Sequence, residues 1–200
     1  MQRRLGSGRS LDMRVVAIVG FLLVGVVAVG FALVSLGPKC SDACGTRQPE
    51  EGRSHVEDGT TGLTYKSVPA TSGTHWIDPA NWGIYGQGGS GAYADPAIES
   101  QVIHNLEHGG IEIWYQPTKI DPAGVQQLTD YVREQLRGSQ YKFILSPWTG
   151  KDFGHPIAVT AWNWLLYLDK PDIGSIRQFV AAHYGEAPEP MAGPGPPNQP

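Results

Sequence analysis

The sequence predicts an α+β protein, with a small, mainly antiparallel sheet, helices on one face of it, and a single N-terminal transmembrane helix before it. Three observations support this fold class. A long apolar segment lies near the N-terminus. Further along, apolar residues recur at every second position in some segments and at every third or fourth in others, which are the periods of strands and helices. Their order, strand, helix, strand, strand, helix, is typical of an α+β layer arrangement.

The apolar segment Val15 to Leu36 contains no charged residue and can cross a hydrocarbon core of about 30 Å. A secretory signal peptide would have a shorter apolar region of roughly 7–15 residues and a small-residue cleavage site. Gly37 to Lys39 offers no such site. Arginines dominate residues 1–14, so we expect this segment in the cytoplasm and the chain after Leu36 outside a cell membrane that it crosses once.

Several segments flank the expected extracytoplasmic domain, residues 53–186. Residues 37–52 are predicted to form a stalk and the proline-rich residues 187–200 a disordered tail. Cys40 and Cys44 lie in the stalk, on the usually oxidising side. Their spacing is compatible with a disulfide within or between chains, a soft-metal pair, or free thiols. The exterior part is acidic, which argues against nucleic acid as a partner.

A histidine pair lies on the first predicted helix. Asp95 followed by Pro96 is typical of a helix start, and Gly109 of a helix end. On a helix, His104 and His108 would lie on one face, about 6 Å apart. A strand from Val102 onward remains an alternative; it would separate the two by about 13 Å, too far for one ion.

The helical alternative also predicts which side is buried. An apolar stripe formed by Ile98, Val102 and Leu106 would face the core, and both histidines would lie on the exposed face. Residues 60–94, rich in glycine, proline and aromatic side chains, are predicted to form an ordered loop region.

The remaining elements follow from local signals. Three strands are expected over Ile111–Tyr115, Lys142–Ser146 and Pro156–Trp162, with Trp164–Leu168 either a further strand or a turn of helix. One helix should begin at Asp121-Pro122 and end at Gly138, and a last helix should be capped by Asp172 and end at Gly185.

The histidines point to a metal site for copper or zinc. His75 comes from a threonine-serine-glycine loop, and His104 and His108 come from the helix. Three imidazoles are a common ligand set for zinc and also suit copper. Glu107 would either orient one imidazole or act as a fourth ligand. His55, at the start of the domain, is a further candidate; the alternative is that these histidines bind only backbone carbonyls.

The other candidates have simpler interpretations. His155 is expected at the entry to a strand, and His183 is expected to complement the negative end of the last helix. Met191 is a weak candidate ligand for copper.

Three function classes are compatible with these residues. The first is a membrane-anchored module that binds or handles metal, with a metal donor as partner. The second is a structural or interaction subunit of a membrane complex, contacted through its aromatic loops. The third is a zinc-dependent hydrolase, because His104 to His108 matches the HxxEH pattern with Glu107 as base. Gly109 ends the helix at once, so the sequence favours binding over an enzyme.

Three motifs resemble one bacterial family. Pro69 to His75, His104 to Gly110 and Pro156 to Trp162 are together similar to the family catalogued as domain of unknown function 3105. The similarity covers roughly His55 to Glu189. Members often resemble this chain in having an N-terminal membrane anchor. The resemblance supports the domain boundaries and the choice of residues, and it implies no particular reaction.

Overall fold

The computed structural model describes residues 42–86 and 92–197. The cytoplasmic segment 1–14, the predicted membrane span 15–36 and Cys40 lie outside these ranges. Within the described ranges, no helix combines the length and the apolar character needed to cross a bilayer.

The described chain contains three α-helices: α1, Glu99–Glu107; α2, Pro122–Leu136; and α3, Ile173–His183. Nine strands accompany them: β1, Thr46–Arg47; β2, His55–Val56; β3, His75–Trp76; β4, Gly83–Tyr85; β5, Ala92–Tyr93; β6, Ile111–Tyr115; β7, Phe143–Pro147; β8, Ile157–Ala161; and β9, Trp164–Leu168. The α+β class predicted from the sequence is confirmed.

Seven strands form the main sheet in the order β1-β9-β8-β6-β7-β4-β5. From β1 to β6 the neighbours are antiparallel, as the sequence predicts. From β6 to β5 they are parallel. The strands β6 and β7 are parallel because α2 connects them. This helical crossover returns the chain to the end of the sheet at which β6 began. The sheet is therefore mixed.

The helices do not all lie on one face of this sheet. The Phe143 ring contacts Tyr131 of α2 and Tyr184, next to α3, at centroid distances of 6.0 and 5.9 Å. Ser146 points to the opposite face, because side chains alternate along a strand. Its Oγ accepts a hydrogen bond of 2.9 Å from the N–H of Ala97, just before α1. The expectation of one helical face holds for α2 and α3 but not for the start of α1.

The helix starts differ in how well local signals predict them. Asp121 caps α2 by accepting from Gly124 N–H at 2.6 Å, and Asp172 caps α3 by accepting from Ser175 N–H at 3.1 Å. The expected cap of α1 by Asp95 is wrong, since that helix begins after Ile98, whose backbone is extended. The bond from Ala97 to the sheet holds the preceding residues outside the helix.

Two flanking segments are part of the folded structure where it describes them. In the predicted stalk, β1 pairs with β9, and Cys44 is disulfide-bonded, which agrees with the disulfide interpretation of the cysteines. In the tail expected to be disordered, the N–H of Glu189 donates to the carbonyl of Glu107 at 3.0 Å. The proline-rich composition does not indicate this docking, because the partners of the tail lie far away in the sequence.

Candidate metal centre

A small parallel sheet formed by β2 and β3 brings two histidines together. His55 is directly opposite His75 in this pair, and their rings are 4.5 Å apart. Backbone bonds from His75 N–H to Ser54 O at 2.9 Å and from Gly73 N–H to Gly52 O at 3.0 Å hold the two strands. The Nε2 atoms of the two histidines are therefore only 3.2 Å apart.

The loop before His75 is fixed by its own polar residues. Ser72 Oγ accepts from the N–H of Glu51 at 3.0 Å, and the hydroxyl of Tyr65 donates to the carbonyl of Thr74 at 2.8 Å. Gly73 has a φ of +124°, and a Cβ there would lie 3.0 Å from the Tyr65 ring. This conformation favours glycine. The loop thus holds His75 in a defined position.

Helix α1 provides the other two members. His104 and Glu107 are three residues apart, so they share one face of the helix. The His104 ring lies 4.7 Å from the His55 ring and 5.0 Å from the His75 ring. Glu107 Oε2 lies 3.1 Å from His75 Nε2 and 3.6 Å from His55 Nε2. One donor atom from each of the four residues lies within 4.8 Å of the others, so this His–Glu cluster could hold a metal ion.

Backbone carbonyls orient two of the imidazoles. His75 Nδ1 lies 2.7 Å from Gly73 O, and His104 Nδ1 lies 2.9 Å from Trp76 O. A carbonyl oxygen only accepts, so each Nδ1 is assigned the proton, and the lone pair of the neutral ring is then on Nε2. Histidines that bind metals are commonly oriented in this way.

Burial sets the protonation of the cluster. It is the main cause that lowers the pKa of His75 to about 4, with His55 and His104 adding to the effect. Burial also lowers the pKa of His104. These imidazoles are consequently neutral at pH 7, which is the form that binds metals.

Glu107 is a buried acid beside neutral rings. Its side chain is 1% exposed, and neither carboxylate oxygen has a hydrogen-bond donor among the described residues. The guanidinium of Arg53 is 3.7 Å from Oε1. Burial raises the pKa of Glu107, with the charge of Glu189 adding to the effect. A cation among these donors would stabilise the carboxylate.

The structure brings together three of the four predicted ligands, His75, His104 and Glu107, and adds His55. His108 is not part of the His–Glu cluster. His108 is the C-cap of α1 and its N–H still donates to the carbonyl of His104 at 3.2 Å, but its side chain packs against Gly193 of the C-terminal tail. Its ring still lies 4.5 Å from that of His104.

The expectation that the histidine pair is exposed is wrong. His104 is 8% exposed and His108 is 5% exposed, because β3 and the C-terminal tail cover that side of α1. Only His55 of the His–Glu cluster is exposed. The role of His55 depends on the pairing of β2 with β3, which the spacing of the histidines in the sequence does not predict. Its position at the start of the domain was the only feature of the sequence that indicated His55 as a ligand.

The other candidate residues lie outside the cluster. His155 Nδ1 is 2.8 Å from a carboxylate oxygen of Asp169. His183 Nε2 is 2.9 Å from the carbonyl oxygen of Cys44, and its ring stacks on Trp164. Met191 is 97% exposed.

Comparison with known proteins identifies one family. No curated protein and no solved structure matches the chain. One family profile matches residues 55–195, a range that includes the whole His–Glu cluster. This match covers more than half of the sequence and confirms the predicted resemblance. The chain therefore belongs to the family described as "Protein of unknown function (DUF3105)".

Proposed function

We propose that the protein is a membrane-anchored, extracytoplasmic module that binds zinc or copper through the His–Glu cluster. The observation that carries this proposal is the spacing of its donor atoms. Zinc bonds of about 2.0–2.1 Å in a tetrahedral site place neighbouring donor atoms about 3.3 Å apart. From His75 Nε2, the distances are 3.2 Å to His55 Nε2 and 3.1 Å to Glu107 Oε2.

The types of ligand narrow the choice of metal. Three imidazoles and one carboxylate suit zinc and divalent copper, whereas calcium and magnesium prefer sites built only from oxygen. The cluster contains no thiolate or thioether, which argues against a site for monovalent copper. Divalent copper binds such sites more tightly than zinc, so the supply of metal would decide which ion is bound.

The ligand count supports binding rather than hydrolysis. A catalytic zinc site keeps one position for water, while four protein ligands fill a tetrahedral site. The hydrolase interpretation requires Glu107 to act as a base beside the metal. Its Oε2 instead lies within the donor set, next to His75.

Access to the site would be through His55. The other three members are buried, while the His55 side chain is 38% exposed. Arg53, on the same short segment, is also exposed. A metal ion delivered from outside would therefore meet His55 first, which fits a role in metal binding, sensing or transfer.

Two further features support the proposed location. The apolar segment 15–36 has the length and composition of a membrane anchor. The disulfide at Cys44 fits an oxidising compartment outside the cytoplasm.

The interaction-subunit alternative keeps only part of its argument. It relied on the aromatic residues of the loops as a contact face, and Trp82 is 1% exposed and belongs to the hydrophobic core, whereas Tyr93 is 36% exposed. Core packing accounts for the Trp82 side chain without a partner.

A titration of the full chain in detergent, followed by calorimetry, tests the proposal. With Zn²⁺ and with Cu²⁺ in separate experiments, we expect about one ion per chain. His55→Ala, His75→Ala and His104→Ala should each weaken binding by at least about tenfold. His155→Ala, which changes a partly exposed histidine outside the cluster, is the control. A wild-type chain that binds neither ion, or variants that bind as the wild type does, would overturn the proposal.

A further inference from the structure

The C-terminal tail is docked beside the metal-binding end of α1. We use the name docked tail for residues 189–194. The N–H of Glu189 donates to the carbonyl of Glu107 at 3.0 Å, and the indole N–H of Trp82 donates to the carbonyl of Pro194 at 2.9 Å. One of these contacts is made by the backbone of a proposed metal ligand.

Lys142 joins the docked tail to the helix. Its Nζ donates to the carbonyls of His108 at 2.8 Å, Pro190 at 2.7 Å and Ala192 at 3.1 Å. An ammonium group has three N–H donors, and all three are used here. Lys142 therefore links the end of α1 to two separate points of the docked tail.

The docked tail also packs against the ring of His108. A Cβ on Gly193 would be 2.9 Å from His108 Cδ2, so the chain passes directly against this ring. The His108 ring in turn lies 4.5 Å from that of His104. The ring of His108 therefore lies between the docked tail and His104, a member of the His–Glu cluster.

These contacts matter because α1 is short. It spans only Glu99–Glu107, and isolated helices below about 12–15 residues are marginal in water. The last carbonyls of a helix also have no partners within the helix itself. The docked tail and Lys142 supply partners for the carbonyls of Glu107 and His108. Without them, these two carbonyls would lack protein partners, and the turn that carries the Glu107 carboxylate would be held less firmly.

We infer that Lys142 and the docked tail are positioning elements of the metal centre, so that metal binding and tail docking stabilise each other. This inference rests on the proposed function. Coupling between two binding events is reciprocal, and typical coupling energies change affinity by about 5- to 150-fold. Undocking the tail should weaken metal binding by such a factor, and metal should tighten docking by the same factor.

The experiment uses the full chain with Zn²⁺ as the probe. Lys142→Met removes the three ammonium donors. Glu189→Pro removes the N–H that binds Glu107 together with the Glu189 carboxylate, so Glu189→Gln, which removes the charge and keeps the N–H, is its matched control. Lys170→Met, at an exposed lysine away from these contacts, is the control. We expect a dissociation constant for Zn²⁺ about 5- to 150-fold higher in the first two variants and unchanged in the control. Circular dichroism of the metal-free variants checks that each is folded.

Hydrogen exchange separates local coupling from general stability when the Glu189 amide is compared with amides of α2, whose protection reports the general gain on binding metal. In the wild type, Zn²⁺ should slow exchange of the Glu189 amide, and this metal-dependent protection should shrink in Lys142→Met. Equal dissociation constants in all variants, or a Glu189 amide whose exchange rate does not change with Zn²⁺, would overturn the inference while leaving the proposed function intact. A wild-type chain that binds no metal would overturn both.

Discussion

The Nε2 atom of His75 lies 3.1 Å from Oε2 of Glu107, although His75 belongs to the short strand β3 and Glu107 is the last residue of α1. The other ring nitrogen of His75 is held by a backbone carbonyl, so its lone pair faces the carboxylate. Two electron-rich atoms at this distance need a proton or a cation between them. This relationship motivates the first prediction.

Replacing Glu107 by glutamine should weaken Zn²⁺ binding by at least about tenfold, because the amide removes the negative charge from the cluster. Calorimetric titration of the full chain measures the change, with Glu57→Gln at an exposed acid as the control. If Glu107→Gln binds Zn²⁺ like the wild type and instead loses a hydrolytic activity, Glu107 is a base and not a ligand.

Glu112 should make stability depend on pH. It is 1% exposed, and burial raises its pKa well above the usual value. Between the unfolded-state pKa of about 4.3 and the raised native pKa, the native state binds more protons than the unfolded chain. The free energy of unfolding should therefore fall as pH rises through this window.

Glu112→Gln removes this titration, so the variant should gain stability relative to the wild type as pH rises from 4 to 8. Urea denaturation at several pH values measures the difference. Glu134→Gln, an exposed acid, should show little of this trend. A difference for Glu112→Gln that does not change with pH would contradict the prediction.

Asn105 should be a strong contributor to stability. Its buried side chain accepts from the N–H of Ala80 and donates to the carbonyl of the same residue, each at 2.8 Å. Asn105→Ala leaves both backbone groups buried without partners, at a cost of about 1–3 kcal/mol each. Chemical denaturation should show a loss of about 2–6 kcal/mol.

Asn105→Asp keeps the acceptor oxygen but loses the donor, so the carbonyl of Ala80 loses its partner. Both variants should still bind Zn²⁺ under conditions where they are folded, because Asn105 lies outside the His–Glu cluster. A cost below about 0.5 kcal/mol for Asn105→Ala would show that water replaces these bonds.

Reduction of the disulfide at Cys44 should leave metal binding unchanged, because no sulfur belongs to the His–Glu cluster. Thiol labelling under denaturing conditions should detect no free cysteine before reduction. Zn²⁺ affinity that falls on reduction would instead support the soft-metal interpretation of the pair.

Local signals predict most of the secondary structure. The strand over Ile111–Tyr115 has the predicted bounds, and Asp121 and Asp172 cap α2 and α3 as expected. These elements depend on neighbouring residues, whose spacing can be read from the sequence. The parallel half of the sheet depends on where a crossover returns, which no local pattern specifies.

The same distinction applies to the site. His104 and Glu107 come from one helix, and their proximity follows from its periodicity. The place of His55 opposite His75 follows from a pairing between distant strands. His108 was expected in the site because it lies one helical turn after His104, and the two rings are indeed 4.5 Å apart. The sequence did not indicate that the tail packs against His108 and that His55 joins the donor set instead.

X-ray absorption at the metal edge of the Zn²⁺-loaded full chain tests the central claim most directly. The His–Glu cluster predicts about one ion per chain, with imidazole scattering from three histidines and one oxygen at about 2.0–2.1 Å. It also predicts no zinc–sulfur distance near about 2.3 Å. A chain that retains no zinc, or a spectrum dominated by sulfur or by water oxygen, would contradict the account.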